Sequence, residues 1–348
     1  MPRARLVVVL LLLSPGTAGS DSTFPILGAR ATGLGGAFTA VADDVTAFHW
    51  NPAGVAYGPY ARMGFFTGAA FQDRGELVNR LRSGDPGEGS ELVGDGAFGF
   101  SAGLTFLGLA VTRFTHTRSI LDGELLRSDG LQTVDLVVSF VQSLPPDELT
   151  VGVNFHHIRG KTFRKAESAA DIPQGERNVR DLVHRATAAE GKAENELDLD
   201  VGVLYQPAGW IRAGLTVRHL ARPAFHFESE EEDPLVLGRH ARAGVALMLP
   251  RSFLVALDAD VTRQETRSVG GLGYGWREVV LGAEKSWRHR MLTLGGGFRM
   301  ELGGGEGQRA GFSAAVGLVL KGVRVDVGAT SSTRRKQGAY WFGVTLSR

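Results

Sequence analysis

Apolar and polar residues alternate with a period of two along most of this chain, the signature of strands whose two faces meet different surroundings. Val134, Leu136, Val138 and Phe140 alternate with Thr133, Asp135, Val137 and Ser139. Leu197, Leu199, Val201, Val203 and Tyr205 alternate with Asp198, Asp200, Gly202 and Leu204. The same rule holds at 211–218, 253–262, 312–321, 323–328 and 340–346. It is weaker at 61–71, 97–106, 108–120, 148–159, 239–249, 276–287 and 291–301. The pattern predicts about 14 strands of about 9 to 13 residues, and a tilted strand needs about 9 to 11 to cross a membrane.

The connections alternate between short and long. Short ones sit near 107, 145–147, 207–209, 250–251, 288–289 and 321–322. Long ones cover 72–95, 121–130, 160–193, 223–238, 264–275, 303–308 and 332–337. Short turns at one end and longer loops at the other are what an outer-membrane barrel shows, whereas a soluble sandwich has no reason to sort its loops this way. Trp210 and Trp287 lie beside short turns, and Trp276, Tyr340 and Trp341 near long loops, as aromatic girdles at two interfaces would. Only a closed barrel leaves no unpaired strand edge in hydrocarbon.

Composition supports this class. No apolar run approaches the roughly 20 residues of a spanning helix. The chain has 48 glycines, no cysteine and a formal net charge of +1, which excludes a disulfide scaffold, a thiol nucleophile and a Cys-ligated metal. The charge balance gives no reason to expect nucleic acid. Arg3 and Arg5, the apolar run 6–13 and the small residues after Pro15 read as a signal peptide over 1–19. If the apolar set of each strand faces lipid, the lumen receives Asp135, Asn154, His156, Asp198, Asp200, Arg212, Arg218, Arg242, Asp258, Asp260, Glu284, Arg299, Arg324 and Asp326. Both signs are present, so pairing among themselves or with a plug is expected. Glycines within the strands permit close approach of such a plug.

Between the leader and the first strand, residues 27–55 do not alternate. A helical turn fits 37–41, Asp43 or Asp44 can cap a second one ending before Pro52, and Gly33, Gly35 and Gly36 allow tight packing. A compact segment placed before the first strand of a barrel is a natural plug. The run Gly-Ala-Arg-Ala-Thr-Gly-Leu-Gly-Gly-Ala-Phe-Thr-Ala-Val-Ala-Asp-Asp at 28–44, followed by Asn51-Pro52-Ala53-Gly54, resembles the N-terminal hatch of the FadL/OmpP1/TodX superfamily of outer-membrane proteins, including its PorV/PorQ-like branch. The resemblance implies an all-β fold: a closed antiparallel transmembrane β-barrel of about 14 strands with an N-terminal helical hatch. The domains are then 1–19 signal peptide, 20–58 hatch and 59–348 barrel. It implies hatch-gated passive uptake of small hydrophobic compounds, with Asn51, Pro52, Ala53, Phe38, Phe48 and Trp50 at the substrate side of the hatch and Gly33, Gly35, Gly36, Asp43 and Asp44 shaping it. The PorV-like alternative is a barrel that binds secreted protein cargo or secretion components, and the chain length suits that branch. The expected partners are outer-membrane lipid and lipopolysaccharide, with a small hydrophobic ligand or a secreted protein. The final Arg348 departs from the terminal aromatic common in barrel-assembly signals.

Sharper chemistries find less support. Gly99-Phe100-Ser101-Ala102-Gly103 matches a nucleophile-elbow pattern but lies inside an alternating strand rather than a strand–turn–helix. Residues 33–36 lack the strand and Lys-Ser/Thr of a phosphate loop. His156 and His157 are adjacent in a strand and point to opposite faces. His49 is expected to pack with Trp50, and the acidic run 228–233 to be a solvated loop. Residues 178–190 fit a helix with Val179, Leu182 and Val183 on one side. The chain is expected to be no enzyme and to carry no cofactor or metal.

Overall fold

A computed structural model describes residues 26–85, 90–145, 148–229, 234–266, 274–287, 291–303, 309–332 and 336–347. The expected signal peptide, the first hatch residues 20–25, the tip 230–233 of the acidic run and Arg348 lie outside them. The wall strands are β1 Ala61–Arg74, β2 Ser90–Leu104, β3 Leu107–Asp122, β4 Leu125–Leu144, β5 Leu149–Ser168, β6 Ala193–Ala208 and β7 Ile211–Arg218. They continue with β8 His240–Leu249, β9 Phe253–Asp260, β10 Tyr274–Trp287, β11 Leu292–Leu302, β12 Arg309–Leu320, β13 Val323–Ser332 and β14 Lys336–Ser347. Each pairs antiparallel with the next, and β1 pairs with β14 (Phe65 opposite Val344), so fourteen strands close into a barrel. The three-residue strand Gln264–Thr266 continues along β10 beyond β9.

Alternation sorts side chains as the sequence predicts. Leu257 is 49% exposed, whereas its neighbour Asp258 on β9 is fully buried. Leu109, Val111, Leu136, Phe140, Phe155, Leu281, Phe312, Val316 and Phe342 all stand on the outside. An apolar exterior and a polar, filled interior invert the usual soluble pattern and match a barrel solvated by hydrocarbon. Trp210, Trp287 and Tyr340 are exposed, but Trp276 and Trp341 are 9% and 5% exposed. These two share the inward parity of Glu278 and Ala339, so they leave the expected girdle for the lumen.

The strands outrun the hydrophobic pattern at one end. The expected long connection 121–130 is a two-residue turn, with Gly123 at φ 60°, between β3 and β4. β5 continues to Ser168, and β2 begins at Ser90. The ladders β2–β3, β3–β4 and β4–β5 run through this extension without a register shift. Here Leu92, Leu121 and Leu126, which carry outward parity, are buried under helices α3 (Leu77–Ser83) and α4 (Val179–Thr187) together with Leu77, Leu81 and Leu182. Asn178 caps α4, its Oδ1 accepting the Asp181 N–H at 3.1 Å, which fits the helix expected from the sequence.

The N-terminal segment crosses the lumen. Helix α1 (Ala29–Gly33) packs on β11 to β14, and the 3₁₀ turn Pro52–Ala56 packs on β4 to β6, seven strands away around the ring. The four-residue helix α2 (Ala47–Trp50) lies between them.

Candidate functional site

The wall is hollowed to receive this segment. Gly152 and Gly202 face each other across β5 and β6, Gly214 and Gly244 across β7 and β8, and Gly282 and Gly297 across β10 and β11. A methyl group on Gly152 would sit 2.3 Å from the Ala53 nitrogen, and one on Gly202 would sit 2.0 Å from Asn51 Oδ1. On Gly297 it would lie 2.3 Å from the Gly35 nitrogen. These contacts are closer than any real side chain permits, so glycine is a steric requirement of the fit. All the pairs lie in the half of the barrel nearer the short turns, which places the segment there.

Side chains then fasten it. Asn51 is fully buried, and its Nδ2 donates to the carbonyls of Thr39 (3.0 Å) and Val203 (3.1 Å). Its Oδ1 accepts the Ala53 N–H at 3.1 Å and so caps the 3₁₀ turn, with Pro52 in the first turn position. Asp258 accepts the backbone N–H groups of Phe38 (3.0 Å) and Thr39 (2.8 Å). Asn154 donates to the Phe48 carbonyl at 2.7 Å, and Ser101 to that of Val45 at 2.5 Å. Ser101 therefore sits mid-strand on a backbone carbonyl, with no strand–turn–helix elbow. Arg30 pairs with Asp43 and, at 2.6 Å, with Glu284 on β10, and its guanidinium stacks 5.3 Å over Phe38. Arg62 of β1 donates to the Val55 carbonyl at 2.7 Å.

The remaining sequence-singled residues are internal to the segment. Trp50 Nε1 donates to the Leu27 carbonyl at 2.9 Å, and its ring meets Phe38 edge-on at 5.8 Å. Phe48 packs 6.1 Å from Phe66 of the wall. Gly33 abuts Ala315, while Gly35 and Gly36 hold φ of 71° and 97°, a backbone that favours glycine. Asp44 Oδ1 accepts from the Thr46 N–H at 2.8 Å, an Asx turn leading into α2, whereas Asp43 is taken by Arg30. Neither occupies the strict cap position of α2, which is Thr46. His49 packs 5.4 Å from Trp50, as expected, and also lies 6.0 Å from Phe114 and 3.5 Å from an Arg218 nitrogen.

A cavity of about 130 Å³ stands on the long-connection side of the segment. Ala97, Phe114, Leu131, Ile158, Leu237 and Trp341 give it apolar walls. Trp341, Gly68, Ala97, Phe114 and Thr133 form a single row across β14, β1, β2, β3 and β4, and the indole leans over Gly68. Charged groups in and behind the lining are matched internally. His116 bonds Asp95 at 2.6 Å, and His156 bridges Asp135 (2.9 Å) and Asp200 (3.0 Å). Arg218 lies 3.5 Å from Asp200. An engineered dry cavity of about 150 Å³ takes up benzene, so this chamber has the scale of one aromatic ring. None of the segment residues singled out from the sequence lines it. Its lining was legible only as inward parity, because Phe114 and Trp341 lie on strands three apart in the ring and converge through register rather than spacing.

Asp198, Asp200 and His219 bring ligand-type atoms within 4.8 Å of one another. They are engaged otherwise. Asp198 bonds His219 Nδ1 at 2.6 Å and the Ala221 N–H at 3.1 Å, and Asp200 accepts the His219 N–H at 2.9 Å. These bonds turn the chain out of the wall after β7, where His219 holds φ 54°.

A family profile described as "F plasmid transfer operon, TraF, protein" matches residues 97–260, and one described as "Uncharacterised protein family (UPF0164)" matches residues 23–79. No curated protein matches the chain. Among solved structures, a Pseudomonas aeruginosa FadL homologue superposes with a TM-score of 0.64 at 10% identity, covering 95% of this chain and 100% of its own. The CymD monoaromatic hydrocarbon channel gives 0.62 at 12% identity over 92% and 97%. The Pseudomonas putida toluene transporter TodX gives 0.54 at 11% identity over 95% and 98%. The fourteen-stranded wall with a segment seated inside it is thus the barrel fold of the FadL and TodX proteins.

Proposed function

We propose that this chain is an outer-membrane barrel for passive uptake of small hydrophobic compounds, with residues 1–19 as an export leader, 20–58 as a hatch and 59–348 as the wall. One observation carries the reading. A chamber with apolar walls and the scale of a single ring stands on the long-connection side of a segment that blocks the other half. A compound entering between the long connections desolvates against Phe114, Leu131, Ile158 and Trp341. The polar groups of the lining are bonded to one another, so selection rests on apolar transfer, roughly 25 cal/mol per Å² buried. Onward passage then needs the hatch to yield. Asn51 is its fastening to β6, with Pro52 and Ala53 against the Gly152–Gly202 pair and Phe38, Phe48 and Trp50 as its body. Loss of the Asn51 donor bond to Val203 loosens the 3₁₀ turn from β6, and loss of the one to Thr39 loosens the segment internally.

The test is uptake of radiolabelled toluene by cells expressing the chain or its Asn51→Ala variant, with barrel folding checked by heat-modifiable gel migration. A changed uptake rate with an intact barrel supports the gate. Equal rates count against it, and no uptake above empty cells counts against the transport reading. A second reading, a barrel that binds a secreted protein, is favoured by the heavily bonded lumen, by the folded α3–α4 cap and by the profile named for a plasmid transfer operon. Native mass spectrometry of protein extracted from its own membrane separates the two. A bound small apolar molecule supports uptake, and a stoichiometric protein partner supports the second reading.

A further inference from the structure

The outward face of β3 to β5 carries basic side chains that no described side chain neutralises. Toward the long-connection end, the exposed apolar residues Val111, Leu136 and Phe155 give way to Arg113 on β3 and to His157 and Arg159 on β5, all exposed. Arg113 and Arg159 both pair with Val134, from opposite sides, so they stand two strand spacings apart, roughly 10 Å. His157 pairs with Leu136 one row nearer the apolar band. Among the described residues, no side chain forms a hydrogen bond or ion pair with any of the three. The neighbouring outward positions Thr115, Gln132, Lys161 and Asn195 include no carboxylate. Inside the barrel, by contrast, Arg30, Arg242 and Arg324 are each held by carboxylates, and Arg62 and Arg212 by carbonyl oxygens. Helix α4 covers the same sheet face just beyond this patch and adds the exposed pair Arg180 and His184, one turn apart.

Unpaired guanidinium groups on an apolar exterior are explained if their counter-charge is in the surroundings. We propose that Arg113, His157 and Arg159 form a headgroup site for a phosphate-bearing lipid of the outer leaflet, whose acyl chains lie along Val111, Leu136 and Phe155. Charge complementarity selects the occupant. Phosphate oxygens accept bidentate bonds from guanidinium, and continuity with the apolar band requires a ligand with both a phosphate and a tail. The patch rests on the reading of the barrel as a membrane protein, not on what the chamber transports.

The test uses the full chain in phosphatidylcholine nanodiscs doped with phosphatidic acid, a lipid with a terminal phosphate. Native mass spectrometry reads the phosphatidic acid retained. The expected result is enrichment over phosphatidylcholine that falls about 10-fold in the combined Arg113→Gln, His157→Gln, Arg159→Gln variant. It stays unchanged in Arg277→Gln, which removes an exposed cation of β10 from another part of the wall. Enrichment that survives the combined variant, or falls equally in Arg277→Gln, overturns the site. Displacement by inorganic phosphate at millimolar concentration also overturns it, by showing a free-anion patch. A chain that fails to insert overturns the membrane reading itself, whereas one that inserts without headgroup preference overturns this proposal alone.

Discussion

At Gly202 the wall and the N-terminal segment compete for the volume of one methyl group, since a Cβ there would lie 2.0 Å from Asn51 Oδ1. The Gly202→Val variant is therefore expected to keep its ladder with Gly152 yet unseat Asn51, leaving a folded barrel of raised ion conductance in planar bilayers. Conductance no higher than that of the parent would show that the segment can shift without opening the lumen. Asn51→Ala removes two buried donor bonds and one cap and is expected to cost the segment about 1–3 kcal/mol, read as faster hydrogen exchange at residues 52–56 with the strands unaffected. Asn51 stands out in the sequence only because Asn51-Pro52-Ala53-Gly54 resembles a hatch motif, and its capping role was not legible, since Asp43 and Asp44 were the cap candidates. Its partners were not legible either, because Val203 and Thr39 meet it through backbone carbonyls that leave no mark on the sequence. Trp341 illustrates the converse. Proximity to a loop suggested a girdle, but counting parity from the outward Tyr340 and Phe342 turns it into the lumen.

Among the elements, the wall strands were read wherever one face met hydrocarbon, and cut short wherever it did not. Past the apolar band, Thr117, Ser119 and Ser128 replace outward valine and leucine, so the alternation fades while the ladder continues. The helices that cover this stretch were only half visible. Asn178 announced α4, but its docking on the outward face depends on Leu92, Leu121 and Leu126 from three strands. The dock is also electrostatic. Glu167 at the end of β5 accepts from Arg185 of α4 at 2.6 Å and meets Lys165 at 2.9 Å. Partial burial alone would raise its pKa, but the bonds from Arg185 and Lys165 outweigh burial and hold it below the usual glutamate value. A carboxylate whose folded pKa is depressed stabilises the fold above its unfolded value, about 4.3. That contribution is lost as pH falls from there through the folded value. Helix α4 is thus expected to lose hydrogen-exchange protection, corrected for intrinsic rates, between neutral pH and pH values below about 4, before β5 does. In Glu167→Gln the loss should already be present at neutral pH and should no longer depend on this window. Simultaneous loss in α4 and β5 would mean that the cap is held by its leucines alone.

For the whole molecule, the question is whether the wall or the segment it encloses makes the fold. Every rung that closes the ring, including Phe65 opposite Val344 and Leu257 opposite Leu281, joins wall strand to wall strand. Over its described residues the segment adds no strand, and its contacts are to the inner face. Backbone satisfaction in hydrocarbon is therefore complete without it. What removal would expose is polar: Asp258 would lose the N–H groups of Phe38 and Thr39, and Glu284 its partner Arg30. Water entering the lumen can solvate both, so the penalty is far below that of burying a bare charge. Deleting residues 26–58 should then leave a barrel that still inserts and shows heat-modifiable migration, with a lower unfolding temperature and an open, water-filled pore. A deletion that cannot insert would make the segment part of the folding unit, needed to organise the glycine pairs as the strands close. An inserted but non-conducting deletion would instead place the seal outside the segment, and gating would then have to be sought around the chamber, at Leu237 and His219, rather than at Asn51.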